Sequence, residues 1–172
     1  MRRAALFLTA AALVVAAANL SAQGPNFSGT WTRDTTGMGA LLAGGGGGGG
    51  GRGFGGGAGP MTIAQDAATL TTTRTQGQNE VKAVYKLDGS ESKNTGPSRG
   101  GNPGVEMTST AKWSGATLTI VTNQPAQDGS TRTTSAVWSL DSTGKVLSIA
   151  TTAPGRGGGD PVTTTVKYNK GM

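Results

Sequence analysis

The sequence predicts an all-β fold, an antiparallel up-and-down meander of about 8–9 strands closing into a barrel. Three observations carry that expectation. Apolar and polar residues alternate with a period of two, as in Val81-Ala83-Tyr85-Leu87 set against Glu80-Lys82-Val84-Lys86; this leaves one face of a strand apolar. Threonine, whose branched Cβ suits a pleated strand, is abundant between short glycine-bearing turns. No window after the leader has the apolar spacing of an amphipathic helix.

The elements follow in chain order. Arg2 and Arg3 precede an uncharged apolar run over residues 4–18, and small residues lead to Ser21-Ala22. This pattern reads as a signal peptide over 1–22, cleaved after Ala22, with Ala18 as the alternative site. The run is short for a membrane span of roughly 20 residues, so no span is expected after cleavage, and the chain is expected to be secreted or periplasmic. Residues 23–172 then form a single barrel domain. Within it, residues 36–59 hold an unbroken glycine run and read as a flexible loop, because such a stretch loses much entropy on ordering and buries little.

Strands are expected near residues 27–34, 60–66, 68–75, 79–88, 104–113, 116–123, 130–140, 145–152 and 161–169. Gly77, Gly115, Asp128-Gly129 and Gly144 mark hairpin turns between them. A weak repeat, "KWSGATLTIVT" at 112–122 and "VWSLDSTGKVLSIAT" at 137–151, gives the same sequence of aromatic, turn and threonine-rich strand. A meander of this length closes to remove its edges. Counting strands places the 89–103, 124–129 and 153–160 connections at one end of the barrel. The tight 76–78, 114–115 and 141–144 turns, with the glycine tract, fall at the other.

The segment "NFSGTW", Asn26 to Trp31, resembles the first-strand motif of lipocalins, and the chain resembles lipocalin-like secreted bacterial proteins that begin this way after their signal peptide. The resemblance implies a lipocalin-like barrel with Gly29 and Trp31 at its base: the tryptophan packs across the closed end, and an arginine from the last strand stacks on it. This chain has no arginine there; Lys167 and Lys170 are the cations of that region. Trp31 is therefore expected to be structural, with Gly29 permitting close packing.

Composition narrows the chemistry. Cysteine and histidine are both absent, which removes disulfides, thiolate sites, the commonest metal ligand and the commonest general base at neutral pH. The acids Asp88, Glu91, Glu106, Asp128 and Asp160 stand at no telling spacing, and no serine occupies a nucleophile elbow. No catalysis, metal or cofactor is expected. Net charge is +6, or +4 without Arg2 and Arg3. That charge is scattered rather than gathered in a stripe, which argues against nucleic acid as partner.

Four arginines stand out as candidate ligand-binding residues. Arg74 is in phase with Leu70 and Thr72, and Arg132 with Ala136, Trp138 and Leu140, so the phase of each, taken literally, points inward. A buried guanidinium needs an acid, such as Glu80 or Glu106, or an anionic ligand; the alternative is a side chain at a strand end that reaches out to solvent. Arg99 in "PSRGGNP" and Arg156 in "PGRGGGDP" lie on two similar loops, where glycine amides and an arginine fork suit an anion. The expected partner is a small apolar, amphipathic or anionic molecule held in the barrel. The alternative is a cell-envelope interaction or structural protein with a solid barrel core.

Overall fold

A computed structural model describes residues 24–36, 59–76, 79–96, 104–126, 128–155 and 158–171. The expected signal peptide and nearly all of the expected glycine loop lie outside the described residues. The chain is all-β, as its alternation predicts, and contains ten strands: β1 (Gly29–Arg33), β2 (Met61–Gln65), β3 (Thr69–Gln76), β4 (Asn79–Lys86), β5 (Ser92–Thr95), β6 (Glu106–Ser114), β7 (Thr117–Pro125), β8 (Thr131–Leu140), β9 (Val146–Ala153) and β10 (Val162–Lys170). They form one antiparallel sheet in the order β4-β3-β2-β1-β10-β9-β8-β7-β6-β5. The pairing of first strand with last, Trp31 opposite Lys170, rolls the meander into a nearly closed barrel. β4 and β5, the two ends of the ladder, lie side by side and complete it.

The sequence reading of about 8–9 strands is one short of the ten observed, and the strand it lacks is β5. β5, "SKNT", falls inside what reads as a long connection over 89–103. Its inward side chains are Ser92 and Asn94, so no apolar alternation announces it. The extra strand reverses the parity of everything after it. The strand ends at 33 and 61, 76 and 79, 95 and 106, 125 and 131, and 153 and 162 all open at one end. The strands on either side of the glycine tract therefore end, at 33 and 61, on the same side as the long connections, not the opposite one. The other end carries the turns at 66–68, 87–91, 115–116 and 141–145.

Local chemistry sets these turns. Gly115, at φ +58°, takes the first central position of the two-residue link between Ser114 and Thr117; this is the glycine position of a type II′ turn, whose twist matches the flanking strands. In the β8–β9 turn the Asp141 carboxylate accepts from the amides of Lys145 and Val146, each at 2.9 Å. Those hydrogen bonds and one from the Thr143 hydroxyl hold its pKa below the ordinary value.

The core fills the second end of the barrel. Phe27, Trp31, Leu70, Leu118, Leu147 and Tyr168 are fully buried there, and Met61, at the start of β2, is fully buried as well. Residues 24–28 cross this end as a plug: the Phe27 ring stacks on Trp113 at 5.7 Å and meets Trp138 edge-on at 6.0 Å. Gln65 fastens the plug, accepting from the Phe27 amide at 2.9 Å and donating to the Pro25 carbonyl at 3.3 Å. Toward the first end the packing thins. Thr131, Arg132 and Thr133 of β8 and the first four residues of β10, from Val162 to Thr165, are exposed.

Candidate ligand-binding site

Arg74 is the one charged side chain buried among the described residues, at 4% exposure. It stands on β3 between Met61 of β2 and Val81 of β4, in the inward phase of Leu70 and Thr72. Its Nη1 donates to the Tyr168 hydroxyl at 3.2 Å, and Nη2 lies 2.7 Å from the Met61 sulfur. The guanidinium carbon is 5.3 Å from the centre of the Tyr168 ring, within cation–π range. Arg74 is two residues from the end of β3 on the open side, and Tyr168 two residues from the end of β10 on the plugged side. Strand tilt, which accompanies barrel closure, brings them together across the interior.

Among the described residues no acid pairs with this charge. Glu80 and Glu106 are both exposed, and Glu106 pairs instead with Lys93 at 3.6 Å, the one ion pair among the described residues. The Arg74 Nε is buried with no hydrogen-bond partner. Tyr85 is in the same cluster, and burial pushes its phenol well above the ordinary value, opposed by the Arg74 charge and a hydrogen bond with Thr72. It therefore stays a neutral phenol and supplies no counter-charge. The arrangement is a desolvated guanidinium fork with an unused donor, flanked by phenols and a thioether. Such a fork matches a carboxylate or phosphate with two parallel hydrogen bonds. A buried guanidinium without such a partner is costly.

The other expected residues fall elsewhere. Arg132 is exposed, opposite Gln124; its phase is inward, but β8 there runs past the packed core, so the side chain is in solvent rather than in the barrel. Arg99 and Arg156 lie outside the described residues. Trp31 is fully buried and its Nε1 donates to the Phe27 carbonyl at 2.8 Å. Lys170 takes the place of the missing arginine, with Nζ 5.5 Å from the centre of the Trp31 ring. Gly29, at φ +141°, makes room for it: a Cβ there would come within 2.8 Å of the Lys170 Cε.

Two features escaped the sequence. One is Phe27, whose aromatic partners Trp113 and Trp138 lie far along the chain and could not be paired from it. The other is the polar inner surface of β5 and β6, where Ser92, Asn94 and Ser109 are buried and Ser109 shares a 2.9 Å hydrogen bond with Thr122. No group of three or more acidic side chains suited to a metal occurs among the described residues, nor any helix long and apolar enough to cross a membrane.

No protein-family model matches the chain, and no curated protein matches it. Among solved structures it is similar to one described as REP1-NXSQ fatty acid transporter, with a TM-score of 0.52 and 10% identity over 84% of this chain and 96% of that one. At that identity the likeness is one of fold: both chains form a barrel-like all-β domain.

Proposed function

We propose that this protein is a non-catalytic binding barrel, exported by its N-terminal leader, that holds a small amphipathic anion. The carboxylate of the ligand sits on Arg74 and its apolar part lies along the inner wall. The observation that carries this proposal is the buried Arg74 guanidinium with a free Nε and no acid beside it. A ligand carboxylate removes the cost of that charge, so binding and burial support each other. The fold likeness to a protein described as a fatty acid transporter supports the same choice of ligand class. The absence of histidine and cysteine from the whole sequence favours holding over reacting.

Titration of the purified mature chain with cis-parinaric acid, a fluorescent fatty acid, tests the proposal. Saturable, equimolar binding that a saturated fatty acid displaces is the expected result. Absence of saturable binding across chain lengths, with the protein folded, refutes it and leaves the solid-barrel alternative, in which Tyr168, Met61 and Tyr85 surround Arg74 with no ligand between them.

A further inference from the structure

The joint between β4 and β5 differs from every other joint in the barrel. The nine other neighbouring pairs are joined by backbone ladders, eight residue pairs long between β3 and β4. Across the β4–β5 joint the bonding is done by side chains. The Asn94 amide lies against the backbone of Val84, its Oδ1 accepting from the Val84 amide at 2.7 Å and its Nδ2 donating to the Val84 carbonyl at 2.9 Å. The Ser92 hydroxyl accepts from the Lys86 amide at 2.9 Å. Both side chains are buried, at 7% and 6% exposure. Two polar side chains thus stand where a strand would, and they satisfy the Val84 amide and carbonyl and the Lys86 amide without a ladder.

A joint of this kind opens more easily than its neighbours. A ladder zips cooperatively along its length, whereas these bonds depend on two side-chain rotamers, and regions with few backbone bonds sit at the low-stability end of a fold. The joint also leads somewhere. Its outer face is an open depression of about 420 Å³ lined by Val84, Lys86, Glu91, Ser92 and Lys93. Its inner face is next to Ala83 and Tyr85, one strand from Arg74. The plugged end offers no such path, since Phe27, Trp113 and Trp138 close it.

We propose that the β4–β5 seam, held by Ser92 and Asn94, is a gate that parts to admit an amphipathic anion to the interior. This rests on the binding role proposed above, but opening itself is measurable in the free protein.

Two measurements on the full mature chain test it. In amide hydrogen exchange without ligand, Val84 and Lys86 exchange faster than the laddered amides of β7 and β8, and Asn94→Ala speeds Val84 by about tenfold or more. In stopped-flow mixing with cis-parinaric acid, Asn94→Ala raises the association and dissociation rates together and leaves Kd nearly unchanged, as a gate requires and a damaged site does not. Because the chain has no cysteine, the pair Val84→Cys and Lys93→Cys can be bridged by a short bis-maleimide; bridging slows both rates, and this arm serves if Asn94→Ala fails to fold. Val84 exchange as slow as that of the β7–β8 ladder, or rates indifferent to the bridge, overturns the gate while leaving the binding role intact. A wild-type chain that binds no probe refutes the binding role, and the entry role falls with it.

Discussion

Lys170 lies across the face of Trp31, its ammonium 5.5 Å from the ring centre, in space that Gly29 leaves clear. The last strand thus covers the tryptophan of the first at the point where β1 and β10 pair and close the barrel. Lys170→Ala should lower stability by about 0.5–1 kcal/mol, the size of an exposed cation–π contact, with Lys170→Arg retaining it. Gly29→Ala should lower stability by about 1–3 kcal/mol, because it strains a residue at positive φ and displaces Lys170. Urea unfolding of the three variants checks both numbers.

Phe27 closes the plugged end from outside the strand that follows it. Phe27→Ala removes the ring between Trp113 and Trp138 and should cost about 3–5 kcal/mol, the usual loss for a buried phenylalanine. Near-ultraviolet circular dichroism should weaken in parallel, since both tryptophans lose their fixed aromatic neighbour.

Alkaline stability should turn on Tyr85. Its folded pKa is raised, mainly by burial, so its contribution is complete below the ordinary value of 10.0 and is lost as pH climbs above that toward the folded value. Tyrosinate absorbance should therefore show that Tyr85 ionises with unfolding rather than before it. Tyr85→Phe should flatten the fall of stability above that pH.

Acid sensitivity should come from the turns. The pKa of Asp141 is lowered by its hydrogen bonds to Thr143 and to the Val146 and Lys145 amides, and that of Asp66 by bonds from Ala68 and Thr69. For each, the contribution is present above the ordinary value of 3.8 and disappears as pH falls below it through the depressed folded value. The melting temperature should drop over that window, and less so in the Asp66→Asn, Asp141→Asn double variant.

Much of the barrel was legible because its inward positions are apolar: Val81, Ala83 and Tyr85 declare β4 by alternation alone. β5 was not, since Ser92 and Asn94 replace the apolar residues that would reveal it. Phase alone placed the Arg74 side chain inward but could not separate it from Arg132, which has the same phase. What separates them is where the packing stops: Arg74 has Met61 and Tyr168 around it, whereas Arg132 extends past the core. Such a boundary depends on contacts between distant strands, and a linear pattern carries no record of it.

The proposed carboxylate contact of Arg74 is read by isothermal titration of dodecanoate against dodecanol. The wild-type chain should prefer the acid by about tenfold or more, the range of a charge-assisted hydrogen bond. Arg74→Met, which keeps the volume and removes the charge, should bind both ligands about equally and remain folded. Equal affinity of the wild type for acid and alcohol, or a preference that survives in Arg74→Met, would rule out Arg74 as the carboxylate site.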